Sequence, residues 1–190
     1  FISILNTLPS GDVEFSQKDI NVVIKPITKK VRFQLKSMAS DKFPEFASEQ
    51  NIPWFEVPAA EFKAMITQTI FAVSDDETRY FMNGVYFEKK EENLVMVATD
   101  GRRLAYSAKP LCAGITDFQP AIVPPKILNI ILKRLPSEGN LSMAVLNKMI
   151  YFKFGNYSFA SVLIDGQFPN YQRVIPEAQD KKFQINRRDL

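Results

Sequence analysis

The sequence repeats itself at a spacing of about 127 residues, out of phase with its own ends. Ile4-Leu5-Asn6-Thr7-Leu8-Pro9-Ser10 recurs as Ile131-Leu132-Lys133-Arg134-Leu135-Pro136-Ser137, and each copy runs through β-like alternation to an Asp-x-(x)-Phe-Pro-x-aromatic corner. The corners are Asp41 to Phe46 and Asp165 to Tyr171. After them, Phe55-Glu56-Val57-Pro58-Ala59-Ala60-Glu61-Phe62 lines up with Phe183-Gln184-Ile185-Asn186-Arg187-Arg188-Asp189-Leu190. Ile4 matches Ile131, Phe43 matches Phe168 and Phe55 matches Phe183, at offsets of 127, 125 and 128. A single spacing that relates three separated segments marks a repeated structural unit. The expected organisation is the end of one module, one whole module and the opening of a third.

A shorter repeat lies inside the module. Val57-Pro58-Ala59-Ala60-Glu61-Phe62 resembles Val123-Pro124-Pro125-Lys126-Ile127-Leu128, 66 residues later. Each is an apolar strand end followed by a helical period, and proline suits a first helical turn because its missing N–H has no intrahelical partner there. A half-module therefore reads as a strand, a helix and several strands. Residues 59–71 place Phe62, Met65, Ile66 and Ile70 on one helical face, with Ala60, Lys63 and Thr67 on another. Residues 125–135 direct Ile127, Leu128, Ile131 and Leu135 inward and Lys126, Asn129, Lys133 and Arg134 elsewhere. The rest reads as strand. Met149–Phe154 and Tyr157–Leu163 flank the hairpin signal Gly155-Asn156, and Leu94–Thr99 and Leu104–Ser107 flank Asp100-Gly101. The predicted class is α+β, with antiparallel sheets and the helices on one face. Residues 47–53 and 176–182 are polar connectors between modules.

Composition narrows the chemistry. With 190 residues, 46% of them hydrophobic, the chain can bury a sizeable core. No apolar run approaches a membrane span and no signal peptide is evident, so a soluble, cytoplasmic protein is expected. Cys112 is the only cysteine, which excludes an internal disulfide. There is no histidine, which removes imidazole-dependent nucleophile systems and histidine-containing zinc sites. No phosphate-cradling glycine loop is present. Asp75-Asp76-Glu77 is the one acidic cluster to weigh as a divalent-metal site, and three adjacent carboxylates without a second cluster more often form a solvated loop. No catalytic residue, metal or cofactor is expected. A net charge of +3 is too small for holding DNA by bulk electrostatics.

Two stretches carry more exposed chemistry than folding requires: Asp75-Asp76-Glu77-Thr78-Arg79-Tyr80-Phe81-Met82-Asn83-Gly84 and Ala98-Thr99-Asp100-Gly101-Arg102-Arg103-Leu104-Ala105. With Asp165-Gly166-Gln167-Phe168-Pro169-Asn170-Tyr171-Gln172-Arg173-Val174-Ile175-Pro176, they resemble the signature segments of the bacterial DNA polymerase III beta subunit family, the sliding clamps. The resemblance spans the chain. It implies residues 1–52 as the second half of a first clamp domain, 53–176 as a complete second domain and 177–190 as the start of a third.

The resemblance further implies a non-catalytic processivity factor for DNA replication. Family members are head-to-tail homodimer rings, with helices lining a hole for double-stranded DNA and sheets outside. Topological closure makes tight phosphate contacts unnecessary. By resemblance Met82, Thr99, Gly101, Arg102, Arg103, Leu104, Pro169, Arg173 and Val174 belong to a pocket for linear peptides of the replicative polymerase, the clamp loader and repair proteins. Arg79 and Phe81 belong to its neighbouring subsite. An apolar floor with arginines at the rim suits leucine or phenylalanine anchors flanked by polar or acidic groups. Asp76, Tyr80 and Phe81 match a DNA-touching loop, and Lys63, Lys126 and Lys133 are the helix lysines placed toward DNA. Asp76 and Arg102 depart from the family pattern, which favours an uncharged donor and a histidine at those places. The competing class is a stand-alone nucleic-acid-binding or metal-dependent nucleic-acid-modifying domain.

Overall fold

The computed structural model describes residues 1–43, 52–110, 117–176, 178, 180–186, 188 and 189. Residues 44–46 of the first corner, 47–51 of the first connector, Cys112, Glu177, Gln179, Arg187 and Leu190 lie outside the described residues. The chain divides into two compact units, Phe1–Ser48 and Glu49–Leu190.

The first unit opens with helix α1 (Ile2–Thr7). Strands β1 (Val13–Lys18), β2 (Asn21–Pro26) and β3 (Phe33–Lys36) follow and form an antiparallel sheet in that order. Lys18 pairs with Asn21, so the β1–β2 hairpin turns on two residues, and Asp19 takes a left-handed φ of 54° to make the reversal.

In the second unit, β4 (Phe55–Pro58) runs straight into α2 (Ala59–Thr69), which ends in a 3-10 turn at Ile70–Ala72. Strands β5 (Val85–Lys90), β6 (Asn93–Thr99) and β7 (Leu104–Pro110) come next. The pattern then restarts with β8 (Ala121–Val123), α3 (Pro125–Arg134), β9 (Asn140–Leu146), β10 (Met149–Phe154) and β11 (Tyr157–Val162). Among the described residues each half thus reads as one strand, one α-helix and three strands. The halves exchange their first strands: the two antiparallel sheets have the orders β11-β10-β9-β4 and β7-β6-β5-β8. Phe55 pairs with Met143 and Val57 with Leu141 in one sheet, and Val85 with Val123 in the other. The α+β class and antiparallel sheets agree with the sequence pattern.

Both helices meet the sequence expectation closely. α2 buries Phe62, Met65 and Ile66, and α3 buries Ile127, Leu128 and Ile131, with Leu135 closing its end. Pro58 stands at the N-cap of α2 and Pro125 in the first turn of α3. A correction concerns residues 2–7, expected as strand and found as α1. They sit one repeat before the last turns of α3, and six residues are too few to display a helical period.

The main core lies between the two helices and one face of each sheet. Phe62 is fully buried and lies 6.1 Å from Phe87 of one sheet and 5.8 Å from Phe152 of the other, ring centre to ring centre. Removing a side chain of this size from water stabilises the fold by roughly 1.5–3 kcal/mol. β6 is buried on both faces. Leu94, Met96 and Ala98 join the main core, while Val95 and Val97 join a second apolar cluster with Ile122, Phe168 and Tyr171. Among the described residues no helix is long and apolar enough to cross a membrane.

Gly84 stands where the second cluster meets β8, and a Cβ there would sit 2.7 Å from Ile122 Cγ2, 2.8 Å from the Val123 carbonyl oxygen and 2.9 Å from Ile164 Cδ1. Because one of these neighbours is backbone, it cannot turn aside. Gly84→Ala is expected to destabilise the protein by about 1–3 kcal/mol. Urea denaturation of the two proteins measures the difference.

Candidate functional site

The loop after α2 is built around one carboxylate. Asp76 caps the 3-10 turn Glu77–Met82: its Oδ1 accepts from the Thr78 backbone N–H at 2.9 Å and from the Thr78 hydroxyl at 2.6 Å, and its Oδ2 accepts from Arg79 Nε at 2.8 Å. These donors favour the ionised form. The Thr78 hydroxyl, then Arg79, then the Thr78 amide hold Asp76 down at a pKa of about 2. The buried Ser74 closes the loop on itself, donating its N–H to the Met82 carbonyl at 3.0 Å.

Asp76 also aims Arg79. The guanidinium reaches the turn Asp100–Arg103, where a Cβ on Gly101 would be only 3.0 Å from Arg79 Nη1. Gly101 has φ +85°, so glycine serves both the backbone conformation and the close approach. The turn has its own braces. Thr99 donates its hydroxyl to the Arg103 carbonyl at 2.7 Å and accepts from the Gly101 N–H at 3.1 Å. Asp100 accepts from the backbone N–H groups of Arg102 and Arg103 and from Arg103 Nε, and these bonds, the Arg102 amide first, lower its pKa. Arg103 lies 5.7 Å over the ring of Phe71, which follows α2.

The third segment folds onto the outer face of the β7-β6-β5-β8 sheet. Ile164 donates its N–H to the Ile122 carbonyl, and Gly166 at φ +124° brings the chain against the first loop. A Cβ there would lie 3.1 Å from Phe81 Cβ and 3.4 Å from the Tyr80 ring. Phe168 stacks on Tyr86 at 4.7 Å and 13°. Tyr171 approaches Tyr86 and Tyr106 and donates its hydroxyl to Glu88, which also accepts from Tyr86 at 3.3 Å. Burial, reinforced by the Glu88 charge, pushes Tyr86 up to about 12; burial and the Glu88 bond raise Tyr171.

Loop, turn and corner, distant in sequence, therefore meet on one side of one sheet. Beside them is a cleft of about 590 Å³ lined by Lys90, Leu104, Tyr106, Tyr171, Gln172, Ile175 and Pro176. Of the sequence-derived peptide residues, Leu104 lines this cleft and is half-buried. Pro169 is half-buried, while Arg173 and Val174 are exposed on the same corner, Val174 at 68%. Arg79 reaches the space a Cβ on Gly101 would take, and Arg102 is exposed at the turn. Thr99 is buried as a brace, Arg103 is drawn toward Phe71, and Met82 is buried at 4%. Phe81 is half-buried against the second cluster.

Tyr106, Ile175 and Lys90 escaped the sequence reading. For Tyr106 the signal is the alternation on β7, which puts Leu104 and Tyr106 on one face.

The residues assigned toward DNA are dispersed. Tyr80 is 53% exposed beside the half-buried Phe81. Lys126 and Lys133 are exposed on α3, whereas Lys63 on α2 donates Nζ to the Leu135 carbonyl at 3.0 Å. That bond satisfies a carbonyl where α3 ends. Among the described residues no group of three or more candidate ligands is arranged for a metal ion. In the acidic triplet, Asp76 is already engaged by Thr78 and Arg79.

Residues 56–170 match the family model described as the DNA polymerase III beta subunit, central domain. A beta sliding clamp from Treponema pallidum is 40% identical over 189 residues, covering 100% of this chain and 51% of its own length. One from Rickettsia bellii is 35% identical, covering 97% and 50%. The crystal structure of the sliding clamp from Bartonella birtlesii bound to griselimycin aligns with a TM-score of 0.80 at 33% identity, covering 94% of this chain and 49% of that one. DNA polymerase III subunit beta from Pseudomonas aeruginosa aligns with a TM-score of 0.78 at 28% identity, covering 94% and 49%. The chain spans about half the length of the curated relatives it matches.

Asp76 has its folded pKa depressed from 3.8 to about 2, so its network contributes fully above about pH 4 and is lost as the pH falls through 2. The stability deficit of Asp76→Asn relative to wild type is expected to be constant near neutrality and to shrink between pH 4 and pH 2. Carboxyl carbon NMR should place the Asp76 midpoint near 2 in wild type. In Thr78→Val, which lacks the hydroxyl bond, the midpoint should rise toward the ordinary value.

Proposed function

The chain belongs to the DNA polymerase III beta subunit family, the beta sliding clamps, and on that premise we propose that it serves as part of a processivity factor for the replicative DNA polymerase. The protein is non-catalytic. It assembles as a head-to-tail homodimer ring in the cytoplasm, encircles duplex DNA and tethers the polymerase, the clamp loader and repair proteins through linear peptides. Residues 1–52 supply the second half of a first domain, 53–176 a complete second domain and 177–190 the opening of a third.

The observation that carries this reading is that the Asp76–Gly84 loop, the Thr99–Leu104 turn and the Gly166–Val174 corner pack together beside a cleft walled by Leu104, Tyr171 and Ile175. Leu104, Tyr171 and Ile175 supply a surface on which a leucine or phenylalanine anchor loses water. Pro169 and Val174 extend it along the corner. Arg79, Arg102 and Arg173 are exposed around this region and suit acidic groups beside the anchors. Thr99, Gly101, Arg103 and Met82 act from beneath or beside the surface by holding the turn and the loop, and Phe81 joins that loop to the corner.

The DNA side rests on α3, where Lys126 and Lys133, two turns apart, share a face. Lys63 adds positive charge near the end of α3 while its amine holds a carbonyl. Tyr80 and Phe81 present aromatic surface, and Arg79 offsets the charge of Asp76 beside them. A ring that holds DNA by enclosure needs no stronger attachment.

Calorimetry with a linear peptide bearing leucine and phenylalanine anchors and a neighbouring acidic residue tests the cleft. Leu104→Asp places a charge on the apolar wall and is expected to weaken binding by about 1–3 kcal/mol with the fold intact. Equal affinity for both proteins would remove Leu104 from the site. On linear duplex at physiological salt this chain is expected to bind with a Kd on the order of 10⁻⁴ to 10⁻⁶ M. Sub-micromolar binding in a fluorescence-anisotropy titration would instead identify a DNA-binding domain that works without enclosure.

A further inference from the structure

β5 alternates strictly: Val85 and Phe87 enter the main core, while Tyr86 and Glu88 face the other way, toward the corner. Both oxygens of Glu88 receive phenols from that side, Oε1 from Tyr171 and Oε2 from Tyr86. The two tyrosines are themselves packed together at 6.2 Å, Tyr86 stacks on Phe168, and Tyr106 approaches Tyr171 at 5.9 Å. Tyr171 is 5% exposed and is also a wall of the cleft. One carboxylate on a rigid central strand is therefore bonded to a residue that forms part of a binding surface.

We propose that Glu88 is a positioning residue for peptide capture. It fixes Tyr171, and with it the corner that carries Pro169, Arg173 and Val174, at the height the peptide anchors require. This rests on the reading of the cleft as a peptide site. Apolar packing between Phe168, Tyr86 and the sheet holds the corner down but is non-directional, so it tolerates sliding. A phenol donating to a carboxylate is directional and about twice as strong as a neutral hydrogen bond, and it stops that sliding. The second bond, from Tyr86, orients the carboxylate on its own strand so that its other oxygen stays aimed at Tyr171. Loss of the Tyr171 hydroxyl would leave the aromatic wall in place but free to shift.

The test measures peptide affinity, thermal unfolding and amide hydrogen exchange on wild type, Tyr171→Phe, Glu88→Gln, Glu88→Ala and the double variant Tyr171→Phe/Glu88→Ala. The probe is the anchor-bearing peptide used for Leu104. Tyr171→Phe is expected to lose roughly tenfold in affinity, the scale of one charge-assisted hydrogen bond, at temperatures where it remains fully folded. Its exchange should accelerate at residues 166–175 and not in β6. Glu88→Gln keeps an acceptor and should retain part of the affinity that Glu88→Ala loses. The double variant should lose no more than Glu88→Ala, since both changes break the same bond. Wild-type affinity in folded Tyr171→Phe, or additive losses in the double variant, would overturn the proposal while leaving the peptide site standing. A wild type that binds no such peptide would overturn the peptide reading and this proposal with it.

Discussion

The second unit depends on an exchange of strands between its halves. Without β4, β9 would be a bare sheet edge, and without β8 so would β5, each offering unpaired backbone groups to any passing strand. With the exchange, every sheet contains both halves, and the two helices are brought over a shared core. Phe62 gives this arrangement a centre: one ring from α2 meets Phe87 in one sheet and Phe152 in the other. A substitution there would be felt by both sheets at once, because protein cores are packed too densely to confine a void to one side.

The candidate site is a by-product of burying β6 twice. Its inward residues belong to the main core, which leaves Val95 and Val97 on a face that would be wet in an ordinary two-layer arrangement. The corner from Ile164 to Val174 covers that face with Phe168 and Tyr171. Covering it is incomplete at the β7 edge, where Leu104 and Tyr106 come up beside Tyr171, and the uncovered remainder is the cleft. Packing of the corner and exposure of an apolar surface are thus two results of one geometry.

Much of this was legible in the residues. Helical spacing of Phe62, Met65 and Ile66, and of Ile127, Leu128 and Ile131, identified both helices and their inner faces, since a period near four with proline at the start has few other structural meanings. The Gly155-Asn156 pair marked its hairpin because Gly155 must adopt φ +51°. Strand exchange was hidden, because pairing between Phe55 and Met143 leaves no local trace in composition. The two-faced burial of β6 shows in sequence only as an apolar run, Leu94 to Ala98, and such a run does not say what lies on each side. Side-chain destinations were the least legible part: nothing near Lys63 in sequence points to the carbonyl of Leu135, and nothing near Glu88 points to Tyr171.

Pairing across such a distance also sets a timetable. β4 leaves the ribosome well before its partner β9, about 90 residues later in the chain. At ordinary elongation rates of 5–20 residues per second, that strand waits for roughly 5–20 seconds with its apolar residues and backbone groups uncovered. β8, by contrast, arrives after β5 and docks on an edge already laid down. The nascent chain is therefore most exposed to wrong partners early in synthesis of this unit, and the vulnerable segment is the short Phe55–Pro58 strand with Trp54 just before it. Proline at the end of that strand removes one backbone donor, which limits how far a foreign strand could zip along it during the wait.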